Sequence, residues 1–334
     1  MPIEPNDLDR RIWEEELEPF VPQRIFDTHL HCGHQDFCLS RPGDQPPEYK
    51  TTEILGMEKF DRDDIADTFA RLFPGREVHY LLFGWTYRRN DFDAHNAFTA
   101  AQVADDPRSA ALMLVHPSFT AEKVAAEVEK YGFRGLKPYR FWTQDEVNCR
   151  ITDMVPEPLL EVADEKRLVI MMHIGKAMGI ADEDNVRDLL YLSDRYPNIR
   201  WDLAHMARAS IAWPLERTIE RIKDVPNFWY DFSSAAYSDV FTVAFRNLPL
   251  DRIMFGTDFP CDLIKGNMIS FGYGWDLVTQ QHLDGMQITH CDGRATYAHY
   301  ETLRAFKRAA GFEGFGPREI EMIFYDNGVD FVFG

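Results

Sequence analysis

The sequence lacks any apolar segment long enough to cross a bilayer. Its longest strongly apolar runs, such as residues 168–172, span only a few positions, whereas a membrane helix needs roughly 20. Basic residues are also scarce: 36 lysines and arginines face 55 acidic residues, for a formal net charge of -19. Such a surface repels phosphate backbones and anionic lipids, so we expect neither a nucleic acid nor a membrane as partner.

Cysteines are few, odd in number and scattered, at positions 32, 38, 149, 261 and 291. This pattern does not fit a disulfide framework and indicates free thiols in a reducing compartment. The first residues carry no basic segment followed by an apolar one, so no signal peptide is predicted. We therefore expect a cytoplasmic protein. If the chain self-associates, a homodimer is the expected assembly, because two-fold dimers are the commonest oligomers.

Apolar residues make up 45% of the 334 positions, and they recur in an alternating pattern. Near-continuous apolar runs, typical of strands buried on both faces, alternate with segments of helical periodicity. Eight such units predict a closed (β/α)8 TIM barrel. An open doubly wound sheet would carry a Gly-rich turn after its first strand, which is absent here. The predicted strands are 24–29, 78–83, 110–115, 133–137, 168–173, 199–204, 227–232 and 252–256.

The chain length suggests one barrel domain, residues 24–334, preceded by an N-terminal extension, residues 1–23. We expect this extension to cover the bottom of the barrel. The surplus length falls into long loops after the first and eighth strands. We predict both loops, 32–60 and 261–295, to be irregular, because proline and glycine punctuate them and periodic apolar residues are few.

Two histidines end the first predicted strand. Side chains of a strand alternate between its faces, so His29 and His31 share one face. Two imidazoles projecting together from a rigid strand end are suited to ligate a metal ion. A His-x-His pair also occurs by chance, so the inference depends on what ends the other strands.

Polar side chains end four further predicted strands: Lys137 the fourth, His173 the fifth, His205 the sixth and Asp258 the eighth. Each alone has an ordinary explanation as a capping, packed or rim residue. In a (β/α)8 barrel, however, the carboxyl ends of all strands meet at one mouth. Three imidazoles and a carboxylate at that mouth are the ligands of a catalytic divalent cation.

These motifs resemble the amidohydrolase superfamily, and in particular its branch called amidohydrolase family 2. The segments that carry the resemblance are Phe26–His31, Met172–His173, Ala204–His205, Arg252–Pro260 and the closing stretch Ile323–Gly328 with its Asn. The resemblance implies one divalent metal ion, most often Zn2+ with Mn2+ as an alternative, bound by His29, His31, His173 and Asp258. It assigns acid–base roles to Asp258 and His205. It leaves open whether Lys137 is carboxylated and bridges a second ion.

The resemblance implies a metal-dependent hydrolase that cleaves an amide, ester or lactone bond of a small carboxylated substrate through an activated water. The same residues also suit a non-oxidative decarboxylase of an aromatic or unsaturated acid, and no residue in the sequence decides between them. A catalytically silent barrel that binds a metal or a ligand as an interaction module is a third hypothesis, which the intact ligand set argues against. Candidate substrate contacts are Lys137, Arg140, Arg89 and Trp85. After the seventh strand, Ser233 and Ser234 are better explained as helix caps.

Overall fold

A computed structural model describes residues 3–40 and 55–334. The strands are β1 (Arg24–His34), β2 (Lys59–Phe60), β3 (Glu77–Gly84), β4 (Ala110–Val115), β5 (Gly135–Pro138), β6 (Val169–Met172), β7 (Arg200–Leu203), β8 (Phe228–Asp231), β9 (Ile253–Met254), β10 (Gly266–Phe271) and β11 (Gly274–Thr279). Eight of them are parallel and pair in the order β1-β3-β4-β5-β6-β7-β8-β9. The short β2 lies antiparallel against the end of β1, and β10 and β11 form a separate hairpin.

Backbone hydrogen bonds join the last parallel strand to the first and close the barrel. The N–H of Thr28 donates to the carbonyl of Phe255 at 3.0 Å. Just beyond β9, the carbonyl of Phe259 accepts from the N–H of His31 at 3.0 Å, and the N–H of Asp258 donates to the carbonyl of His29 at 2.8 Å. We call this junction the seam. All eight predicted strands are present, and the predicted (β/α)8 barrel is confirmed.

Helices cover the outside of the barrel. Side chains at the spacing that predicted them, such as Ile65, Phe69 and Leu72, are buried against the sheet. Local chemistry sets their ends: Asp61 and Asp182 accept hydrogen bonds from the first turns of the helices that follow them. The α-helices are Asp7–Ile12, Arg62–Leu72, Phe92–Val103, Ala121–Tyr131, Ile151–Met154, Glu157–Glu165, Glu183–Arg195, Ala212–Ile222, Ser238–Asn247, Gln280–Met286, Ala298–Glu313, Pro317–Glu321 and Asn327–Phe333. No helix among the described residues is long and apolar enough to span a membrane.

The C-terminal helix, not the N-terminal extension, closes the bottom of the barrel. Phe331 and Val332 pack among inward-facing strand residues, including Phe26 and Trp229. The extension instead lies beside the barrel, where Trp13 stacks on Tyr300 of the helix Ala298–Glu313 with ring centroids 6.1 Å apart. The prediction that the extension covers the bottom of the barrel was therefore wrong. Its apolar side chains pack against an outer helix and not against the barrel core. The domain boundary at residue 24 stays a prediction.

The loop after the eighth strand is ordered where the sequence predicted irregular structure. Strands β10 and β11 pair in register from Gly266–Thr279 to Phe271–Gly274, around a two-residue turn. Gly272 has a φ of +57°, which the turn requires and which side-chain-bearing residues rarely adopt. The other predicted loop, 32–60, is described only in part: its residues 41–54 lie outside the described residues.

Candidate metal centre

The carboxyl ends of the strands surround a cavity of about 480 Å³. Residues at the strand ends, in the hairpin of β10 and β11 and in the helix Ala298–Glu313 line it. Of the predicted site residues, all but Arg89 line it. The lining includes His29, His31, Trp85, Lys137, Tyr139, Arg140, His173, His205, Arg208, Ser234, Asp258, Asp262, Asn267, Met268, Trp275 and Leu277. All of the predicted metal ligands and acid–base residues therefore meet at one end of the barrel.

His29, His31 and Asp258 converge most tightly. The Nε2 atoms of both histidines lie 3.4 Å from Oδ1 of Asp258, and the three ligating atoms lie within 4.8 Å of one another. Two ligand atoms each about 2.1 Å from one tetrahedral ion would be about 3.4 Å apart. The spacing therefore fits a shared divalent cation.

Hydrogen bonds on the far sides of the two rings strengthen that conclusion. Nδ1 of His29 donates to Asp231 at 3.0 Å, and Nδ1 of His31 donates to the carbonyl of Gly84 at 3.3 Å. Burial lowers the pKa of His29 to about 4 and that of His31 well below 6.5, so both rings are neutral at neutral pH. Each ring has its one proton on Nδ1, so both Nε2 lone pairs face a carboxylate oxygen with no proton between them. A cation balances this arrangement.

Asp258 is held in place by its own loop and by the first strand. Its φ is +53°, a left-handed conformation that costs energy for a residue with a side chain. The buried carboxylate of Asp27 fixes this loop: it accepts hydrogen bonds from the backbone N–H of Thr257 at 3.0 Å and from its hydroxyl at 2.5 Å. Oδ2 of Asp258 lies 3.4 Å from the hydroxyl of Ser234.

His173 lines the same cavity but does not belong to the tight group. Its ring centroid is 5.1 Å from that of His205 and 5.2 Å from that of Tyr139. Its Nδ1 is buried and has no hydrogen-bond partner within the described part of the chain. Burial lowers its pKa well below 6.5, which keeps the ring neutral and able to ligate. The structure thus gathers three of the four predicted ligands closely, while the fourth lines the same cavity beside His205.

His205 reaches the cavity from an unusual backbone conformation. Residues 205–208 all have φ between +51° and +58°, a left-handed turn without any glycine. Nδ1 of His205 is 2.8 Å from the hydroxyl oxygen of Ser233, and its ring centroid is 4.7 Å from that of His29. One ligand atom each of His205, His29 and Asp231 also lie within 4.8 Å of one another. The turn thus places His205 beside the first strand's histidines.

Lys137 is buried at 1% exposure although it borders the cavity. Its ammonium lies 4.4 Å from the centroid of the Phe83 ring, and it has no hydrogen-bond partner within residues 3–40 and 55–334. Burial lowers its pKa from 10.5 to about 8, against the opposing field of Asp231 and Asp258. A buried cation without a partner that faces a cavity is suited to bind an anionic group.

Arg89 is the one predicted contact that the structure places elsewhere. Its side chain is exposed, and its carbonyl accepts a hydrogen bond from Leu39 at 2.8 Å. After β3, the half-buried Arg88 pairs with Glu146 at 2.7 Å, while Arg89 is exposed. The structure therefore does not bring Arg89 to the cavity with the other predicted contacts. Trp85 and Arg140 do line the cavity.

Four residues around the site were missed or misassigned in the interpretation of the sequence: Asp231, Ser233, Arg208 and Asp262. Asp231 ends β8 as Asp258 follows β9, so the strand-end rule could have found it. Ser233 does not cap a helix, because the next one begins only at Ser238. Ser234 instead donates to Asp262 at 2.8 Å. No sequence pattern marks Arg208 as a site residue, because only the left-handed turn of residues 205–208 places it at the cavity.

Residues 26–332 match the sequence profile of the amidohydrolase family. The match covers nearly the whole chain, so this chain belongs to the amidohydrolase family, as its motifs predicted. No curated protein sequence matches it.

Several solved structures share the fold at low sequence identity. A probable 2-pyrone-4,6-dicarboxylic acid hydrolase from Acinetobacter baumannii is 12% identical, with a TM-score of 0.59 over 92% of this chain and 98% of that one. A dihydroxybenzoic acid decarboxylase from a Polaromonas species, with bound manganese and the inhibitor 2-nitroresorcinol, is 14% identical, with a TM-score of 0.60 over 93% and 97%. A 5-carboxyvanillate decarboxylase from Novosphingobium aromaticivorans, also with bound manganese, is 14% identical, with a TM-score of 0.59 over 92% and 96%. At these identities the likeness shows the barrel fold alone.

Proposed function

We propose that this chain is a metal-dependent hydrolase that cleaves an amide, ester or lactone bond of a small carboxylated substrate. One observation carries the proposal: Nε2 of His29, Nε2 of His31 and Oδ1 of Asp258 converge at a cavity large enough for a small molecule. These three atoms are electron-rich, and the protons of both rings are committed elsewhere. A divalent cation is the species that this donor set fits.

His29, His31 and Asp258 would hold one ion. His173, which lines the same cavity, would be the fourth ligand. Imidazole nitrogens with one carboxylate oxygen suit Zn2+, our proposed ion, and also Mn2+. Such an ion, when bound, polarises a substrate carbonyl and makes a water nucleophilic at neutral pH. Manganese in two of the similar structures supports a divalent ion without selecting which one.

Asp258 is the proposed proton carrier. Its side chain borders the cavity, and its Oδ2 lies 3.4 Å from the Ser234 hydroxyl. This oxygen can accept a proton from the attacking water and return it to the leaving group. His205 faces the same space, and its Nε2 can accept a hydrogen bond from that water and orient it.

The cavity is richer in cationic groups than the chain as a whole, whose net charge is -19. Lys137, Arg140 and Arg208 line it together with three aspartates, Asp258, Asp262 and Asp276. The Arg140 guanidinium is anchored by a hydrogen bond to the carbonyl of Glu146 at 3.2 Å. These charges select an anionic substrate, and a carboxylate is the group they bind best. Trp85 and Trp275 can pack against its apolar part.

A decarboxylase of an aromatic or unsaturated acid is the second candidate. One observation favours it: the buried Lys137 and the aromatic side chains that line the cavity near the proposed metal ligands would fit an aromatic acid. In that reaction Asp258 or His205 would protonate the carbon that loses carbon dioxide. Two of the similar structures are decarboxylases.

One experiment separates the two reactions. Protein loaded with Zn2+ or Mn2+ is incubated in oxygen-18-labelled water with a panel of lactones, amides, esters and aromatic carboxylic acids. Labelled oxygen in a product carboxylate supports the hydrolase, and release of carbon dioxide with an unlabelled organic product that lacks the lost carboxylate supports the decarboxylase. The chelated protein and the Asp258→Asn variant serve as controls. If the metal-loaded protein gives no turnover beyond that of these two controls, both proposals are overturned.

A further inference from the structure

Behind the cavity floor, one buried carboxylate contacts two of the site's histidines. Asp231, at the end of β8, is fully buried and does not line the cavity. Its Oδ2 accepts a hydrogen bond from Nδ1 of His29 at 3.0 Å. Its Oδ1 accepts from the backbone N–H of Ser233 at 3.0 Å, from the backbone N–H of His205 at 3.3 Å, and from the Ser233 hydroxyl.

The direct contact decides which nitrogen of His29 has the proton. An ionised carboxylate only accepts hydrogen bonds, so the ring nitrogen that faces it must be protonated. In a neutral imidazole the other nitrogen then has a lone pair. For His29 that other nitrogen is Nε2, which faces Asp258.

A hydroxyl carries the same effect to His205. The Ser233 hydroxyl has one proton, and its bond to Asp231 uses it, because the carboxylate cannot donate in return. The Ser233 oxygen is also 2.8 Å from Nδ1 of His205. With its proton committed, this oxygen can only accept there, so Nδ1 of His205 is protonated and its Nε2 has the lone pair.

We propose that Asp231 is the positioning residue of this site. Acting directly on His29 and through Ser233 on His205, it holds both imidazoles in the Nδ1-protonated tautomer and presents both Nε2 lone pairs to the cavity. Its hydrogen bond to the His205 N–H also supports the left-handed turn on which His205 lies. The inference rests on the proposed function only for what those lone pairs then do: His29 ligates the ion and His205 accepts a hydrogen bond from the attacking water. Partners of this kind orient ligands and raise their basicity.

Asp231→Asn tests the direct contact, because asparagine has one acceptor oxygen and one donor group. Three donors converge where Oδ1 of Asp231 lies, so the amide oxygen is expected there. The amide NH2 then faces Nδ1 of His29 and forces it to accept. The proton of His29 moves to Nε2, where it blocks the ligating lone pair.

Nitrogen-15 NMR of histidine-labelled, chelated protein reads the tautomers directly, with His29→Gln and His205→Gln to assign the signals. In the wild type we expect both residues as the Nδ1-protonated form. In Asp231→Asn, His29 should change to the Nε2-protonated form; in Ser233→Ala, only His205 should lose its preference. Asp202→Asn is the matched control: this neighbouring buried carboxyl group accepts from the Asp231 N–H at 3.0 Å, an amide oxygen can still accept there, and Asp202 bonds no histidine within the described residues.

Metal affinity, measured by competition with a coloured chelator, gives the second readout. Asp231→Asn should weaken Zn2+ binding about 10- to 100-fold, while Ser233→Ala and Asp202→Asn leave it unchanged. If His29 or His205 is Nε2-protonated in the wild-type protein, the proposal is overturned. This test needs no variant, so it remains valid even if Asp231→Asn does not fold. An unchanged His29 tautomer in folded Asp231→Asn overturns it as well.

The same data keep this inference separate from the proposed function. If His29→Gln binds Zn2+ as tightly as the wild type does, the metal site itself is wrong, whatever the tautomers are. If His29→Gln loses the ion while Asp231→Asn keeps wild-type affinity and tautomers, the metal site stands and the positioning role falls.

Discussion

The backbone N–H of Asp258 donates a hydrogen bond to the carbonyl of His29 at 2.8 Å, so the loop after the last barrel strand is fastened directly to the first strand. The same two residues meet again through their side chains, Nε2 to Oδ1, at 3.4 Å. Backbone and side-chain geometry are therefore coupled here: the contact that closes the barrel also sets the distance between two of the proposed ligands.

Asp258→Asn should abolish turnover and leave the fold intact. The amide cannot carry a proton between water and leaving group, so kcat should fall by about 10²- to 10⁴-fold for any substrate found in the labelled-water panel. In the chelated protein the amide N–H can donate to an Nε2 lone pair, so the melting temperature should be unchanged or higher. Activity near the wild-type level would remove Asp258 from proton transfer.

His173→Ala tests whether His173 is the fourth ligand. Loss of a ligand should weaken Zn2+ binding about 10-fold or more, by competition with a chelator. His282→Ala is the matched control, because this exposed histidine lies in the helix Gln280–Met286 and does not line the cavity. Equal affinity of both variants would leave His173 outside the metal site.

Lys137→Met should change how stability depends on pH. Burial lowers the pKa of Lys137 from 10.5 to about 8. Between these values the unfolded chain binds a proton that the folded chain does not, so this group makes wild-type stability rise with pH in that window. Below pH 8 the buried charge costs roughly 3 kcal/mol. Denaturant unfolding of chelated protein should show the methionine variant more stable at pH 7, by a margin that shrinks towards pH 10.5. A constant margin would contradict the shifted pKa.

Gly135→Ala should destabilise the barrel. A Cβ at this position would lie 2.1 Å from the carbonyl oxygen of Val169 on the neighbouring strand, and the backbone cannot yield cheaply. The free energy of unfolding should fall by about 2 kcal/mol or more. Gly285→Ala is the control: it meets nothing within 4 Å in the helix Gln280–Met286 and should gain about 0.5–1 kcal/mol. Denaturant titration of both variants checks the contrast, and equal stabilities would show that the strands can separate.

The barrel and the gathering of its polar strand ends could be predicted because both follow from local pattern. Parallel strands buried on both faces give uninterrupted apolar runs, and a polar residue that ends such a run lies at the mouth of the barrel. His173 and His205 were found in this way, although no sequence rule gives the distance between them. Asp231 obeys the same rule and was overlooked.

The rest could not be predicted because it depends on contacts distant in sequence or on rare backbone conformations. Ile269, Phe271 and Tyr273 on the hairpin are exposed, so its strands show no buried face to detect. The turn of residues 205–208 is left-handed without a glycine to signal it. Only this turn and the chain's course after β3 explain why Arg208 faces the cavity while Arg89 does not.

The seam has a consequence for how the molecule assembles. Three of its hydrogen bonds join residues 28–31 to residues 255–259, and the proposed ligands His29, His31 and Asp258 lie on either side of it. A partly folded barrel, with its first and last strands still apart, would hold His29 and His31 on one edge and Asp258 on the other. The metal site proposed for this chain would therefore form only when the ring closes.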